Sequence, residues 1–277
     1  MELFKRYQAE RSVEERSPFE ARTSPRVATS TPAEVLLAGS SEAMPCRLRD
    51  IGSGGVCIQT PSPFPYESLR SMTIHLPGES LKIDVEGAWQ REATLEQAML
   101  TGARFVKLGR TDAQRVRKFV EQSANELTEF LQSRSQFHGL EIDEAFDIAL
   151  ASRLREARAG TWIFTEGRTR PGVESLFIVM SGTVLLVATV AEEGDTKVER
   201  VVRGGVFGGV SLICESEPAL SAVAESDVTL LEVDHQVFGF LERAKPFVAR
   251  RLARTIVSRQ VGQMRSLVAH LVQRAER

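Results

Sequence analysis

Hydrophobic and polar positions follow three successive rhythms along this chain. Between Pro18 and about Leu108, apolar residues alternate with polar ones in Ala33–Leu37, Cys46–Arg49, Val56–Gln59, Met72–Leu76, Leu81–Ala88 and Thr101–Val106. Pro61, Pro63, Pro65, Pro77-Gly78 and Gly109 punctuate these runs. A period of two puts one face of each segment in a core, so several such strands predict a small antiparallel barrel or sandwich. The period then changes. Val116, Phe119, Val120, Leu127, Phe130 and Leu131 fall at helical spacing, which predicts a helix ending near Ser133. Thr111 is its expected N-cap, with Gln114 as the capping-box partner. A second helix is predicted from Ile142 to Ala157.

Short apolar runs return from Gly160 to Val233, separated by glycines, and predict a rolled sheet with tight corners. The most apolar stretch, Leu176–Val190, is interrupted at Ser181-Gly182. Turn residues inside a β-branched run point to a strand pair, not a membrane span. A long helix is predicted from about Pro246 onward. Along it Val257, Val261, Met264, Val268, Leu271 and Ala275 repeat at alternating steps of four and three, a heptad-like seam.

These rhythms divide the 277 residues into a charged segment, 1–17, a β domain, 18–108, a helical linker, 109–138, and a second β domain with a long helix, 139–277. The fold class is mainly β with α. Composition is ordinary for globular domains, 42% hydrophobic and 26% charged. A formal net charge of −2 supplies no general attraction to nucleic acid or anionic membrane, so any nucleotide site has to be a local cluster. Cys46, Cys57 and Cys214 stand far apart without metal-ligand spacing, which fits a reducing compartment and predicts neither a disulfide framework nor a metal site. The segment before Ser17 lacks the apolar core of a signal peptide, and a cytoplasmic location is expected. His75, His138, His235 and His270 are scattered, and no nucleophile elbow or phosphate loop occurs. Glu192-Glu193 falls in an expected hairpin turn. No enzyme activity and no cofactor are expected.

Two local patterns carry chemistry. The first is Arg22-Thr-Ser-Pro-Arg26, followed about two dozen residues later by Asp50-Ile-Gly-Ser-Gly-Gly55 and the strand Val56–Gln59. The order and distance of these elements, with the strand Thr101-Gly-Ala-Arg-Phe105 closing the domain, resemble the PilZ family from about Phe19 to Leu108. That resemblance implies a β-barrel that binds cyclic di-GMP through Arg22, Arg26, Asp50, Gly52, Ser53 and Gly55. The residue types suit the ligand. A guanidinium fork matches guanine O6 and N7 and can also pair with a phosphodiester oxygen. Asp50 can accept from guanine N1 and N2, and Gly54 and Gly55 admit backbone close to a ligand. Gly52 departs from the family pattern, which has Ser there; Ser53 is displaced by one position.

The second pattern runs through the other half of the chain: Gly160-Thr-Trp-Ile-Phe164, Glu166-Gly167, Leu176–Val179, Ser181-Gly182, Gly204-Gly-Val-Phe-Gly208, Ser211-Leu212, Ser221-Ala222 and Ser226–Leu231. It resembles a cyclic nucleotide-binding domain of the cAMP-receptor and kinase-regulatory type. The phosphate cassette that the resemblance implies is Phe207, Gly208, Gly209, Ser221 and Ala222. Binding members have a carboxylate after Phe-Gly, where this chain has Gly209, and an arginine near the cassette's end. From Cys214 to Asp227 this chain has neither Lys nor Arg. An unpaired buried phosphate is costly, so the domain is expected to keep the fold without cAMP. Backbone amides around Gly208 and Gly209 offer an anion nest as the remaining donor set. Arg200 and Arg203 are expected to cap a strand end or face water.

In the cAMP-receptor architecture the long helix is a dimer seam, and a homodimer is expected. The alternative is that its apolar stripe packs on its own roll. Arg250, Arg251, Arg254, Arg259 and Arg265 are expected on a solvated face. With no helix-turn-helix after the long helix, DNA binding is not expected. The leading reading is a bacterial cyclic di-GMP effector acting on an unidentified downstream protein, with no membrane partner. Two others stay open: a ligand-free interaction scaffold, and a dual sensor that also reads cAMP.

Overall fold

The computed structural model describes residues 26–93, 98–137, 139–167, 175–190, 194–214 and 216–275. The segment 1–17, Arg22, His138 and Glu192-Glu193 lie outside the described residues. Internal contacts divide the chain into two compact units, one containing the residues up to Thr128 with Phe146–Leu154, the other Glu129–Ala145 with Arg155 onward.

In the first unit, β1 (Arg26–Ala28), β2 (Pro32–Leu37), β3 (Met44–Gly52), β4 (Gly55–Thr60), β5 (Leu69–Leu76), β6 (Glu79–Ala93) and β7 (Ala98–Phe105) follow in order. All pairings are antiparallel. The sheet order β1-β3-β2-β5-β6-β7-β4, with β4 returning to β3, closes six strands into a barrel, and β1 lies along the second half of β3. The alternation read from the sequence sets the inside: Val27, Val35, Leu48, Ile51, Val56, Ile58, Met72, Ile74 and Leu81 are nearly or fully buried. Closure removes the free sheet edges that would otherwise invite aggregation.

Helix α1 spans Arg110–Arg134. It opens one residue before the expected cap. Gly109's carbonyl already accepts the Ala113 amide (2.8 Å), so Thr111 sits within the first turn instead of capping it. Helix α2 covers Ile142–Ala151, not Ile142–Ala157. The Ser152 hydroxyl closes on Ile148's carbonyl (2.6 Å), and the next residues form strand β8 (Arg153–Ala157). Alternating Arg153, Leu154, Arg155 and Glu156 suit a strand with one inward side chain, and β8 pairs at the sheet edge with β15.

The roll therefore begins at β8, seven residues before the expected Gly160. Its strands are β9 (Trp162–Phe164), β10 (Ser175–Ser181), β11 (Val184–Val190), β12 (Gly194–Val201), β13 (Val206–Gly208), β14 (Ser221–Ala224) and β15 (Val228–Asp234), with the short helix α3 (Val210–Cys214) after β13. They form two four-stranded sheets, β13-β10-β15-β8 and β12-β11-β14-β9. Gly182, at φ +80°, turns β10 into β11, as the interruption in the apolar run predicted. Phe164, Phe177 and Phe207 meet in the core with ring centroids 5.2–6.2 Å apart.

The sequence reading assigned no helix between β15 and Pro246, yet His235–Ala244 forms α4. Asp234 caps it by accepting the Val237 amide at 2.9 Å, while Val237, Phe238, Phe240 and Leu241 bury one face. Helix α5 then spans Pro246–Ala275, with Pro246 in its first turn as predicted. The arginines of α5 are not uniformly solvated. Arg259 donates to the Val206 carbonyl (3.1 Å) and to Glu199, while Arg251 donates to the Gly139 carbonyl and pairs with Glu144 at 3.4 Å. Arg200 pairs with Glu225, and Arg203 lies 5.6 Å from the Phe130 ring centroid; neither simply faces water.

Candidate functional site

On the barrel, strand β1 places Arg26 opposite Gly52, and Ala28 opposite Asp50. Arg26 and Asp50 are therefore diagonal neighbours on one face, opposite to the buried Val27 and Ile51. The Arg26 Nη1 donates to Asp50 Oδ1 at 2.6 Å, and both side chains remain about one-fifth exposed (21% and 17%). Arg26 is itself the first residue of strand β1. One nitrogen of its fork donates to Asp50, and a guanidinium carries further N–H donors besides. The hairpin from β3 to β4 turns at exposed Ser53 and Gly54, with Gly52 opposite Gly55. Gly55 has no room for a side chain, because a Cβ would run into the Ala103 carbonyl oxygen. The hairpin thus brings Gly52, Ser53 and Gly55 beside the Arg26–Asp50 pair. Arg22 lies outside the described residues.

The ladder extends this face. Asp50 stands opposite Cys57, Cys57 opposite Gly102, and Gly102 opposite Trp89. Trp89 is 39% exposed and lies where a Cβ on Gly102 would be; the Arg91 guanidinium sits 5.5 Å from its ring centroid. Neither Trp89 nor Arg91 was singled out from the sequence. The signal was present as Gly102 facing a bulky residue across a strand pair, but the register that aligns them becomes legible only in the ladder. Beside Asp50 on the adjacent strand, burial pushes the Cys57 thiol up to about 12, with the Asp50 charge adding to the effect.

On the roll, the five cassette residues serve the fold. Phe207 is core. Gly208 (φ +74°) and Gly209 (φ +83°) turn the corner, but the Gly209 amide already donates to Ser175's carbonyl at 2.9 Å. Gly208 lies in β13, paired with Leu176 of β10. An anion nest would need that Gly209 donor, so the expectation does not hold there. Ser221 accepts the Glu166 amide at 2.9 Å, and Ala222 is fully buried. The cavity at this corner holds about 50 Å3 and is lined by Phe164, Leu186, Gly208, Gly209, Val210, Ser211, Pro218, Ala219, Leu220, Gln260 and Gln263, with no charged side chain among them. Pockets that enclose small molecules run from about 300 to 1,000 Å3. Ile256 of α5 closes over Gly209, 2.9–3.0 Å from where a Cβ would stand, so a side chain there would require Ile256 and Leu176 to shift, at a φ of +83° that a glutamate rarely adopts.

With both geometries in view, comparison with known families resolves them. A PilZ domain model matches residues 20–122, and a cyclic nucleotide-binding domain model matches residues 154–243. The chain carries a PilZ domain followed by a cyclic nucleotide-binding domain. Both are ligand-binding, regulatory types of domain and not catalytic ones. A curated relative, the cyclic AMP receptor protein of Thermus thermophilus, is 34% identical over 124 residues, which are 44% of this chain and 56% of the relative. The chain thus spans little more than half the length of that relative. Among solved structures, a cyclic nucleotide-binding domain from Methylobacillus flagellatus is 15% identical, with a TM-score of 0.48, covering 56% of this chain and 85% of its own. The Thermus thermophilus catabolite activator protein is 29% identical, with a TM-score of 0.42, over 49% of this chain and 62% of its own.

Within the PilZ domain, Arg26, Asp50 and the Gly52–Gly55 hairpin are gathered at one place, and Trp89 extends their face. Within the cyclic nucleotide-binding domain, the apolar Leu220 precedes Ser221-Ala222, and Gly209 follows Phe207-Gly208. Among the described residues, no helix is long and apolar enough to cross a membrane.

Proposed function

We propose that this chain is a bacterial cyclic di-GMP effector: the PilZ domain binds the messenger and does no chemistry on it, and the cyclic nucleotide-binding domain is a roll that no longer takes cAMP. The observation that carries the reading is the 2.6 Å pair between Arg26 and Asp50 beside the Gly52–Gly55 hairpin. Asp50 fixes one edge of the guanidinium, so its remaining N–H donors are held ready for guanine O6 and N7 or a phosphodiester oxygen. Arg22 supplies the second cation. Gly52 and Gly55 close the hairpin so that its exposed tip, Ser53 and Gly54, lets the ligand approach backbone, and Trp89 offers an aromatic face for a purine. Calorimetry with cyclic di-GMP on the wild type and on Arg22→Ala/Arg26→Ala tests this; equal heats from the two proteins would refute the assignment.

The proposal extends to a cytoplasmic homodimer joined through α5 that acts on a downstream protein and does not bind DNA. What supports the dimer is that Val257, Val261, Met264 and Val268 are 44–58% exposed, so this part of the seam does not pack on its own roll. Light scattering on Val261→Asp/Met264→Asp tests it, with a halved mass expected.

A further inference from the structure

The inward residues of β3 are Cys46, Leu48 and Ile51, spaced by two and then by three. The extra residue is Arg49. Leu48 faces Ile58 and Asp50 faces Cys57, so Arg49 has no opposite number on β4. A bulge of this kind re-aims the side chain it carries. Arg49 is only 7% exposed, and its guanidinium donates to the carbonyl oxygen of Leu154, which belongs to the same compact unit as the barrel. Its own carbonyl accepts the Thr29 amide at 3.1 Å, just past β1. A buried guanidinium is costly to keep unless its contacts are specific, and the Leu154 carbonyl is one such contact.

Leu154 is covalently followed by Arg155, whose guanidinium holds Glu232 at 2.6 and 3.3 Å. Glu232 is fully buried and also accepts the Ser175 hydroxyl at 2.9 Å. The Ser175 carbonyl accepts the Gly209 amide at the cassette corner. Covalent neighbours and hydrogen bonds thus run unbroken from Asp50, the proposed ligand contact, through Arg49, Leu154, Arg155, Glu232 and Ser175 to Gly209.

We infer that Arg49 is a positioning residue that transmits occupancy of the Asp50 pocket to strand β8, and through the Arg155–Glu232 pair to the corner of the roll. The inference rests on the cyclic di-GMP reading above. When a ligand draws on Asp50 and Arg26, the bulge that carries Arg49 adjusts, and the hold on Leu154's carbonyl changes with it. Two-state coupling of this kind is reciprocal and worth about 5- to 150-fold in an equilibrium.

Hydrogen exchange on the full chain, with and without saturating cyclic di-GMP, tests the relay in wild type and Arg49→Met. In the wild type, ligand should slow exchange of the peptides covering 153–157 and 228–234 by about fivefold or more. In Arg49→Met that ligand-dependent slowing should vanish, while the heat of cyclic di-GMP binding persists. If Arg49→Met exchanges faster with and without ligand alike and keeps the slowing, Arg49 is only structural and the relay is overturned. Binding heat without slowing in the wild type overturns the relay alone; absence of heat in the wild type overturns the effector reading and the relay with it. Where circular dichroism shows Arg49→Met unfolded, Arg49→Lys carries the test, because it keeps the charge and loses the fork; undiminished slowing there overturns the proposal.

Discussion

On the PilZ barrel, an acid and a base meet at 2.6 Å beside an exposed glycine hairpin; on the cyclic nucleotide-binding roll, the corner holds Leu220, Gly209 and a cavity of about 50 Å3 with no charged side chain among the described residues that line it. Both sites sit where strands turn, and both are built around glycines. They differ in what the glycines free. Gly52 and Gly55 hold a hairpin whose tip is open to solvent, whereas Gly208 and Gly209 bring the chain close enough for Ser175 and Ile256 to fill the corner. A glycine turn marks close approach, and only the surrounding charges tell whether a ligand or the protein itself does the approaching.

The largest expected difference between the two regions is thiol reactivity. Cys57 lies beside Asp50 on the adjacent strand, buried, and Cys214 ends helix α3, where it is exposed. The thiolate is the reacting form, so the buried Cys57 thiol, held near 12, should react with a disulfide reagent at pH 8 far more slowly than the exposed Cys214. Equal rates would show that the floor of the PilZ site opens readily. The same shift sets a pH dependence. Burial raises the folded-state value of Cys57 from 9.0 to about 12, so the stability linked to its proton is intact below pH 9 and is lost as pH rises from there toward 12. Cys46 is raised to the same degree, by burial first and the Glu34 charge second. Alkaline melts should therefore unfold the barrel, with a flatter pH dependence in Cys57→Ala.

Next in size is Arg26→Ala. It removes a charged ligand contact and leaves Asp50 without the cation it faces. Hydrogen bonds to charged groups contribute about 1.5–3 kcal/mol, so cyclic di-GMP affinity should fall by roughly 10- to 100-fold. Ser221→Ala on the roll should leave that affinity unchanged, and a loss there would merge the two sites that the comparison separates. Trp89→Ala should also weaken binding of the messenger, by about 1–3 kcal/mol, the range for a lost base-stacking surface; unaltered heats would remove Trp89 from the site.

How much of this was legible from residues differs between the regions for a physical reason. The barrel strands were readable because half-buried strands alternate, and the Arg22–Arg26 and Asp50–Gly55 elements because charge and glycine are rare punctuation within such strands. Trp89 was not, since its partnership with Gly102 depends on register across β6 and β7. Arg49 was visible in outline as a three-residue step between Leu48 and Ile51, but a bulge is told from a turn only by its ladder. In the roll, β8 read as helix because Ile142–Ala151 sets a helical period that Arg153–Ala157 does not break with Gly or Pro. Helix α4 was passed over because ten residues of mixed polarity give little periodicity, and its clearest mark, Asp234 as the cap, doubles as a strand end. The missing cassette charges, by contrast, were legible at once, because a buried phosphate demands a partner that composition alone can show to be absent.

The smallest expected effect is the most pointed test of the roll. Thermal shift of the wild type with cAMP should show no stabilisation, and Leu220→Arg should not create any. Supplying the cation alone leaves a cavity of about 50 Å3, and Ile256 still occupies the place over Gly209. Arg259, held by Glu199 and the Val206 carbonyl, with Gln263 also bound to Glu199 at 3.1 Å, keeps that stretch of α5 in place. An introduced guanidinium would instead meet a small cavity whose polar side chains, Ser211, Gln260 and Gln263, are all neutral, and the variant should melt below the wild type with or without cAMP. A shift to higher temperature on adding cAMP to either protein would mean that α5 yields to a nucleotide, and the roll would then be a second sensor.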